Sequence, residues 1–157
     1  MQKDLTMKTL PQLLVVLCLL QSCSSLQKTF INPFPIKPPG YTHVVVTDCA
    51  RTIYISGQVP TNEKGEIVGK DDFAVQTRQV YENLKIALQA AGATFNDVVK
   101  MNTYIKNYTP DYLPTLRTIR ADYLPKENPP ASTLAGVQSL YHPDVLIEIE
   151  AIAVIEK

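Results

Sequence analysis

The sequence predicts an α+β fold in which a mixed β-sheet carries two helices on one of its faces. From Tyr41 onward, strand-like and helix-like segments follow one another in the order β-β-α-β-α-β-β. Both helical segments have one apolar stripe, and the final strand-like run is apolar on one face. A sheet with both helices on the same side is the economical way to bury these surfaces.

The first two strand-like runs lie between residues 41 and 60, in "YTHVVVTDCARTIYISGQVP". The polar segment Thr47–Arg51 separates them, so the pattern predicts a β-hairpin. After a polar loop, Asp71 or Asp72 is expected to cap a helix, and Gly92 is a stop signal behind its apolar stripe. The members of that stripe are Phe73, Val80, Leu84, Ala87, Leu88 and Ala91.

The second half of the chain predicts a strand in "DVVKMNTYIKN" and a shorter helix in "PDYLPTLRTIRADYLP". Two further strands are expected, one beginning at "ASTLAGV" and one in "VLIEIEAIAVIE". The second face of the last strand mixes Leu146, Ile152 and Val154 with Glu148 and Glu150. That face has too much apolar surface to remain in water, so we expect it to form a subunit interface.

Residues 1–22 have the features of a lipoprotein signal peptide. Lys3 and Lys8 flank the start, and the apolar run Leu10–Leu20 is too short to span a bilayer. "LQSC" resembles a bacterial lipobox, so we expect Cys23 to be diacylated and to anchor the protein to a membrane. The expected location is the cell envelope, facing the periplasm or the cell exterior. An ordinary secretory signal is the alternative.

Residues 23–40 are expected to be a tether that precedes the domain at residues 41–157. The tether contains "NPFPIKPPG", whose prolines predict a semi-extended spacer rather than a packed element. If Cys18 is cleaved away with the signal and Cys23 is lipidated, Cys49 has no intramolecular partner. We therefore expect Cys49 to be a packed, unpaired thiol and the fold to have no disulfide framework.

The charge balance of the chain does not favour a nucleic-acid partner. Lys+Arg and Asp+Glu both total 15, and no basic stripe is visible. The two histidines, His43 and His142, have no cysteine or acidic neighbours at metal-ligand spacing. A G-x-G-x-x-G motif is also missing from the sequence, so we expect neither a metal nor a cofactor.

Five motifs, in the same order along the chain, resemble the RidA/YjgF family. They are "GYTHVVV", "IYISGQVP", "QTRQVYENLKIALQAAGATFNDVVKMNTYI", "PPAS" and "LIEIEAIAV", and the resemblance extends over residues 37–157. It implies a chorismate-mutase-like α+β homotrimer with clefts between its subunits. It also implies activity on reactive enamines and imines, which members of the family hydrolyse to keto acids and ammonia.

The resemblance also implies a set of site residues. Glu148 matches the glutamate proposed to position water, Ser56 matches the serine of "SGQ", and Tyr41 matches a tyrosine of the pocket. In "ENPPASTLAGV", Ser132 stands where imine-hydrolysing members have an arginine that binds the substrate carboxylate. The expected catalytic residues are therefore Glu148 and Ser56, and the expected substrate-binding residues are Tyr41, Ser132, Thr133 and Arg117.

The change from arginine to serine matters because a guanidinium fork binds a carboxylate through two charge-assisted hydrogen bonds. Serine offers one neutral donor, and such a bond contributes about 0.5–1.5 kcal/mol. Arg117 and Arg120, one helical turn apart, are candidate replacements, with surface ion pairs as the alternative for both.

We therefore expect hydrolysis of small C=N compounds that are neutral or differently charged. A trimer that binds a small metabolite without catalysis is the alternative. The endoribonuclease activity sometimes attached to this family is not favoured by the balanced charge.

Overall fold

The computed structural model describes residues 25–33, 35 and 40–157. The expected signal peptide and the lipidation site at Cys23 lie outside the described residues. A short 3-10 turn at Phe95–Asp97 precedes the fourth strand. The strands and helices are β1 (Gln27–Ile31), β2 (Val44–Asp48), β3 (Ala50–Gln58), α1 (Phe73–Ala90), β4 (Val98–Lys106), α2 (Tyr112–Arg120), β5 (Ala131–Val137) and β6 (Ile147–Glu156).

The main sheet has four strands in the order β3-β6-β4-β5. β6 pairs antiparallel with both β3 and β4, whereas β4 and β5 run parallel. The sheet is therefore mixed, and both helices pack on one of its faces around a single core. This arrangement confirms the α+β fold class that the segment order predicts.

The expected hairpin between the first two strands of the domain is wrong. β2 ends at Asp48 and β3 begins at Ala50, so only Cys49 separates them. Cys49 has a φ of 58°, in the left-handed region. A tight hairpin needs at least two turn residues, and a single left-handed residue instead sends the chain from one sheet into another. β3 accordingly pairs with β6, and β2 pairs with β1.

Strand β1 also corrects the expectation that residues 23–40 contain no packed element. Gln27–Ile31 pairs antiparallel with β2, in a register that places Thr29 opposite Val46 and Ile31 opposite Val44. Lys28 secures the strand to the domain, because its Nζ lies 3.3 Å from a carboxylate oxygen of Asp97. The prolines that predict a spacer all lie after this strand.

The cysteine expectation is also corrected. Cys49 is disulfide-bonded rather than a free, packed thiol. The inference from the sequence depended on cleavage and lipidation removing both other cysteines, Cys18 and Cys23, which lie outside the described residues.

Helix α1 begins and ends where the sequence predicts. The Asp72 carboxylate accepts a hydrogen bond from the backbone N–H of Val75 at 3.0 Å, and this bond caps the helix. Gly92, with a φ of 74°, follows the last turn in the left-handed conformation that favours glycine. The apolar stripe packs on the sheet, where Leu84 and Ile149 are both fully buried.

Helix α2 is shorter than its sequence pattern. It covers Tyr112–Arg120 and buries Leu116 and Ile119 against the rest of the core. Turns occupy the residues between Arg120 and Pro125. Across residues 25–33, 35 and 40–157, no helix is both long enough and apolar enough to cross a membrane.

Candidate functional site

The main sheet has a helix-packed face and a second face that carries no helix, which we call the open face. Side chains alternate between the two faces along each strand. Glu148 on β6 lies opposite Tyr104 on β4, and Glu150 lies opposite Asn102. Ser132 lies opposite Met101, a core residue, whereas Thr133 lies opposite Asn102. Ser132 and Thr133 are therefore on different faces of the sheet.

A connected group of polar side chains occupies the open face. Glu150 Oε1 accepts hydrogen bonds from Asn102 Nδ2 at 2.6 Å and from the Tyr104 hydroxyl at 3.1 Å. Lys100 Nζ donates to the Thr133 hydroxyl at 2.6 Å. The hydrogen bond to Glu150 raises the pKa of Tyr104, because a tyrosine that donates to a carboxylate holds its proton more strongly.

These side chains border a cavity of about 260 Å³ on the open face. Its polar lining includes Ser56 and Lys100 as well as Asn102 and Glu150. Tyr54 also lines it and is 79% exposed, an unusual state for an aromatic residue in the middle of a strand. A small polar molecule that enters this cavity meets a hydroxyl, an ammonium, an amide and a carboxylate.

Glu148 is half-buried at one end of this group. Burial raises the pKa of its carboxyl group, and the negative charge of the neighbouring Glu150 adds to the effect. No hydrogen bond to the Glu148 carboxylate is present within the described part of the chain. A carboxylate that is partly desolvated and keeps its lone pairs unused is suited to accept a proton or to hold a water molecule.

The "SGQ" motif shapes the space around Glu148. The pairing of β3 with β6 shifts register between Ile55 and Gln58, so a β-bulge coincides with Ser56 and Gly57. A β-carbon on Gly57 would lie 2.7 Å from the carboxyl carbon of Glu148, inside the contact limit. Bulges often occur next to functional sites, where they redirect side chains. Glycine at this bulge leaves room for the Glu148 carboxyl group.

A second group of candidate residues lies on the other side of β5, beside α2. Tyr41, Arg117 and Ser132 line one cavity of about 410 Å³ there, together with Leu134. We call this cavity the serine cavity. Thr42 holds Tyr41 in place, because its backbone N–H and its hydroxyl donate to Pro130 O at 3.1 Å and Pro129 O at 2.6 Å.

The two arginines of α2 differ in their contacts. Arg120 Nη2 donates to the carbonyl oxygen of Gly40 at 2.8 Å. Arg117 is exposed, and among residues 25–33, 35 and 40–157 it has neither a hydrogen bond nor an ion pair. The surface ion pairs that were the alternative for both arginines are not formed with any described residue.

The candidate residues thus form two groups within one protomer. Tyr41, Arg117 and Ser132 share the serine cavity, whereas Ser56 and Glu148 lie on the open face with Thr133. The protomer does not bring the two groups together. The roles assigned to these residues from the sequence remain predictions.

The sequence inference missed three open-face residues, Lys100, Asn102 and Tyr104. Their signal is the alternation of polar side chains with the core residues Met101 and Ile105 along β4. A polar face on a central strand is unusual enough to suggest a site, but its partners on β6 depend on the register between the strands.

Comparisons with known proteins agree with this fold. A model of the endoribonuclease L-PSP family matches residues 35–155. A RutC family protein of Pyrococcus horikoshii is 43% identical over 122 residues, which cover 77% of this chain and 90% of that protein. The 3-aminoacrylate deaminase RutC of Acinetobacter baylyi is 33% identical over 126 residues, which cover 80% of this chain and 97% of that protein.

Among solved structures, the chain is similar to a conserved Rid-family protein of unknown function from Yersinia pestis. The TM-score is 0.74 and the sequence identity 41%, and the match covers 82% of this chain and 98% of that one. The matched length, the order of the motifs and the topology agree. The chain therefore belongs to the endoribonuclease L-PSP family, which is the RidA/YjgF family that its motifs resemble.

Proposed function

We propose that the protein hydrolyses small, reactive imines or enamines to a carbonyl compound and ammonia. In this reaction water adds to the carbon of a C=N bond, the resulting carbinolamine expels ammonia, and the oxygen remains as a carbonyl. The observation that carries the proposal is the half-buried Glu148 carboxyl group with its raised pKa and no hydrogen-bond partner among the described residues. The relative named as a 3-aminoacrylate deaminase supports the reaction class.

Glu148 is the proposed group that orients the attacking water. Its carboxylate accepts a proton from the water as the oxygen bonds to carbon, and returns a proton to the departing amine. Ser56, which lines the cavity on the same face, is proposed to hold the polar end of the substrate. The glycine beside it keeps space for the carboxylate and the water.

Substrate recognition is proposed to depend on Tyr41, Ser132 and Arg117. Ser132 offers one neutral donor, so a carboxylate bound at this position needs a nearby cation. Arg117 lines the same cavity and has no other partner in the described part of the chain. Its planar fork is able to form the paired, charge-assisted hydrogen bonds that a carboxylate requires. Thr133 is proposed to contribute only through its contact with Lys100 on the open face.

A homotrimer is the assembly we propose, because the two groups of candidate residues need a second protomer to meet. The open face keeps apolar side chains such as Ile152 and the exposed Tyr54 next to its polar group. Docking of neighbouring protomers on such a face would bury them and would let the serine cavity of one protomer approach Glu148 of the next. Light scattering on the purified domain should give three times the protomer mass.

The direct test is ammonia release from imines that an amino-acid oxidase generates in place. The protein should release ammonia faster than the spontaneous reaction, and Glu148→Gln should abolish the gain. No gain with carboxylated or uncarboxylated imines would refute the proposed hydrolysis.

A non-catalytic trimer that binds a small metabolite is the second candidate. The separation of Glu148 from Ser132 within the protomer favours it, since catalysis needs an assembly that binding in the serine cavity does not. Tight ligands in a thermal-shift screen, together with no ammonia release above the spontaneous rate in either the wild type or Glu148→Gln, would select this candidate. Ribonuclease activity lacks comparable support, because the net charge is zero.

We also propose that lipidation of Cys23 anchors the protein in the cell envelope, facing the periplasm or the exterior. Signal cleavage would remove Cys18 and lipidation would use the sulfur of Cys23, so the anchored form would not keep the intramolecular disulfide of Cys49. Labelled palmitate should enter the protein and should not enter the Cys23→Ala variant. Equal labelling of both proteins, or labelling of neither, would refute the anchor.

A further inference from the structure

A second cavity adjoins the serine cavity on the same side of α2. It has a volume of about 370 Å³ and is lined by Gly40, Leu124 and Lys126 among others. We call it the lysine cavity. Arg117 and Arg120 line both cavities, so the two spaces meet at this pair of arginines. Each volume lies in the range of pockets that bind small molecules.

The charged side chains that line this double cavity are all positive. Arg117, Arg120 and Lys126 all line it, and no acidic residue is part of the lining of either space. Of the nearby acids in α2 and its flanks, Asp122 is 3.2 Å from Arg78 in an ion pair. The cationic side chains are therefore not neutralised by carboxylates of the lining, and an anion that enters meets three positive charges.

Arg120 is already fixed in position. Its Nη2 donates to Gly40 O at 2.8 Å, and Gly40 has a φ of 79°. The positive φ favours glycine at this position, and a β-carbon there would displace the Arg120 guanidinium group. A guanidinium that is held by a backbone carbonyl loses little side-chain entropy when a ligand binds. The remaining N–H groups of Arg120 stay available to that ligand.

We propose that the double cavity binds substrates that carry two anionic groups. One group would lie in the serine cavity, near Ser132 and Arg117, and the other in the lysine cavity, near Lys126 and Arg120. The two arginines are one helical turn apart on α2 and line both cavities, so each proposed subsite has guanidinium groups in its lining. Apolar residues in the lining of the serine cavity, such as Leu113 and Leu116, offer a surface for part of the carbon chain that links the two groups.

This inference deepens the proposed function. It rests on that function only in identifying the bound dianion as a substrate. If the protein hydrolyses imines, the preferred substrate is an imine that bears two carboxylates, such as one derived from an acidic amino acid. The binding claim itself needs no catalysis. It can therefore be tested with compounds that do not react.

The test is calorimetric titration of the full domain with glutarate and succinate, and with butyrate and propionate as matched monocarboxylates. The dicarboxylate should bind about tenfold more tightly or better, because it gains a second charge-assisted contact. Lys126→Gln should weaken glutarate binding much more than butyrate binding, and should so remove most of that preference. Lys64→Gln, at an exposed lysine in the loop after β3, is the matched control and should change neither affinity.

Sulfate is a control for the number of charges, because it carries two negative charges as glutarate does but holds them close together. It should bind more weakly than glutarate if two subsites are occupied. Equal affinities for glutarate and butyrate, or a Lys126→Gln variant that keeps the full preference, would overturn the inference.

The ammonia-release assay and the binding titration test the two proposals separately. A protein that binds glutarate preferentially but releases no ammonia supports the dianion site and refutes the proposed hydrolysis. A protein that hydrolyses imines but binds glutarate no more tightly than butyrate supports the hydrolysis and refutes the dianion site.

Discussion

Gly57 lies directly against the carboxyl group of Glu148. A β-carbon at position 57 would be 2.7 Å from the Glu148 carboxyl carbon and 2.9 Å from its Cγ. Real side chains do not approach this closely, so the glycine of "SGQ" and the first glutamate of "EIE" depend on each other. The register shift of β3 at the same position belongs to the same arrangement.

Gly57→Ala should therefore move the Glu148 carboxyl group and reduce ammonia release. The crowding should also lower the free energy of unfolding by about 1–3 kcal/mol. Denaturant unfolding and imine turnover measure the two effects. In the double variant with Glu148→Ala the clash is removed, so Gly57→Ala should then cost much less stability. The same cost in both backgrounds would show that the contact is not the cause.

Glu148→Gln should reduce imine turnover by about 10²–10⁴-fold, because the amide neither accepts a proton nor holds it for the departing amine. The fold should be kept, since the carboxylate has no hydrogen-bond partner among the described residues to lose. Glu127→Gln is the matched control at an exposed carboxylate, and it should leave turnover unchanged. A similar fall in both variants would contradict the assigned role.

Glu150→Gln should shift the pH profile of turnover in a defined direction. Burial is the first cause of the raised Glu148 pKa, and the charge of Glu150 is the second. Removing that charge lowers the pKa of Glu148, so its active carboxylate form persists to lower pH. The acid limb of the kcat profile should therefore move to lower pH.

The amide introduced by Glu150→Gln still offers an oxygen to Asn102 and Tyr104, so their contacts with position 150 need not be lost. Glu156→Gln, at the exposed end of the same strand, is the control and should leave the acid limb in place. An acid limb that moves to higher pH in Glu150→Gln would refute this electrostatic coupling.

The sequence predicts the helices and most strands because the buried side of each element requires apolar residues at a regular spacing. Leu84 and Leu88 lie one turn apart on the buried stripe of α1, and Ile147, Ile149 and Ala151 alternate along β6. The pairing of strands is a property of the whole fold. Nothing near Cys49 indicates that β2 joins β1 rather than β3, since that choice depends on segments distant in sequence.

In the candidate site, too, local patterns are predictable from the sequence and contacts between distant segments are not. The alternation of residues along β6 is sufficient to place Glu148 and Glu150 on one face of the strand. It does not reveal that Ser132 and Arg117 line the same cavity, because their proximity depends on where α2 lies relative to β5. The sequence also does not predict the hydrogen-bond partners of fully buried polar side chains, and Gln76 of α1 is the clearest example.

Gln76 is a buried glutamine that fixes the beginning of β6. Its Nε2 donates to Asp144 O at 2.7 Å, and its Oε1 accepts from the backbone N–H of Leu146 at 2.8 Å. Gln76→Leu would leave both backbone groups without this partner, which should cost about 2–4 kcal/mol of unfolding free energy. Gln89→Leu, at an exposed position of the same helix, should change stability by no more than about 0.5 kcal/mol.

The bonds to Gln76 end two residues before Glu148, so their loss should also affect the reaction. Gln76→Glu keeps the acceptor for Leu146 but buries a carboxylate against the Asp144 carbonyl oxygen, so it should destabilise the fold at least as much as Gln76→Leu. In both variants turnover should fall further than the folded fraction does, because the strand that carries Glu148 is less well fixed. Turnover that simply follows the folded fraction would show that Gln76 supports the fold alone.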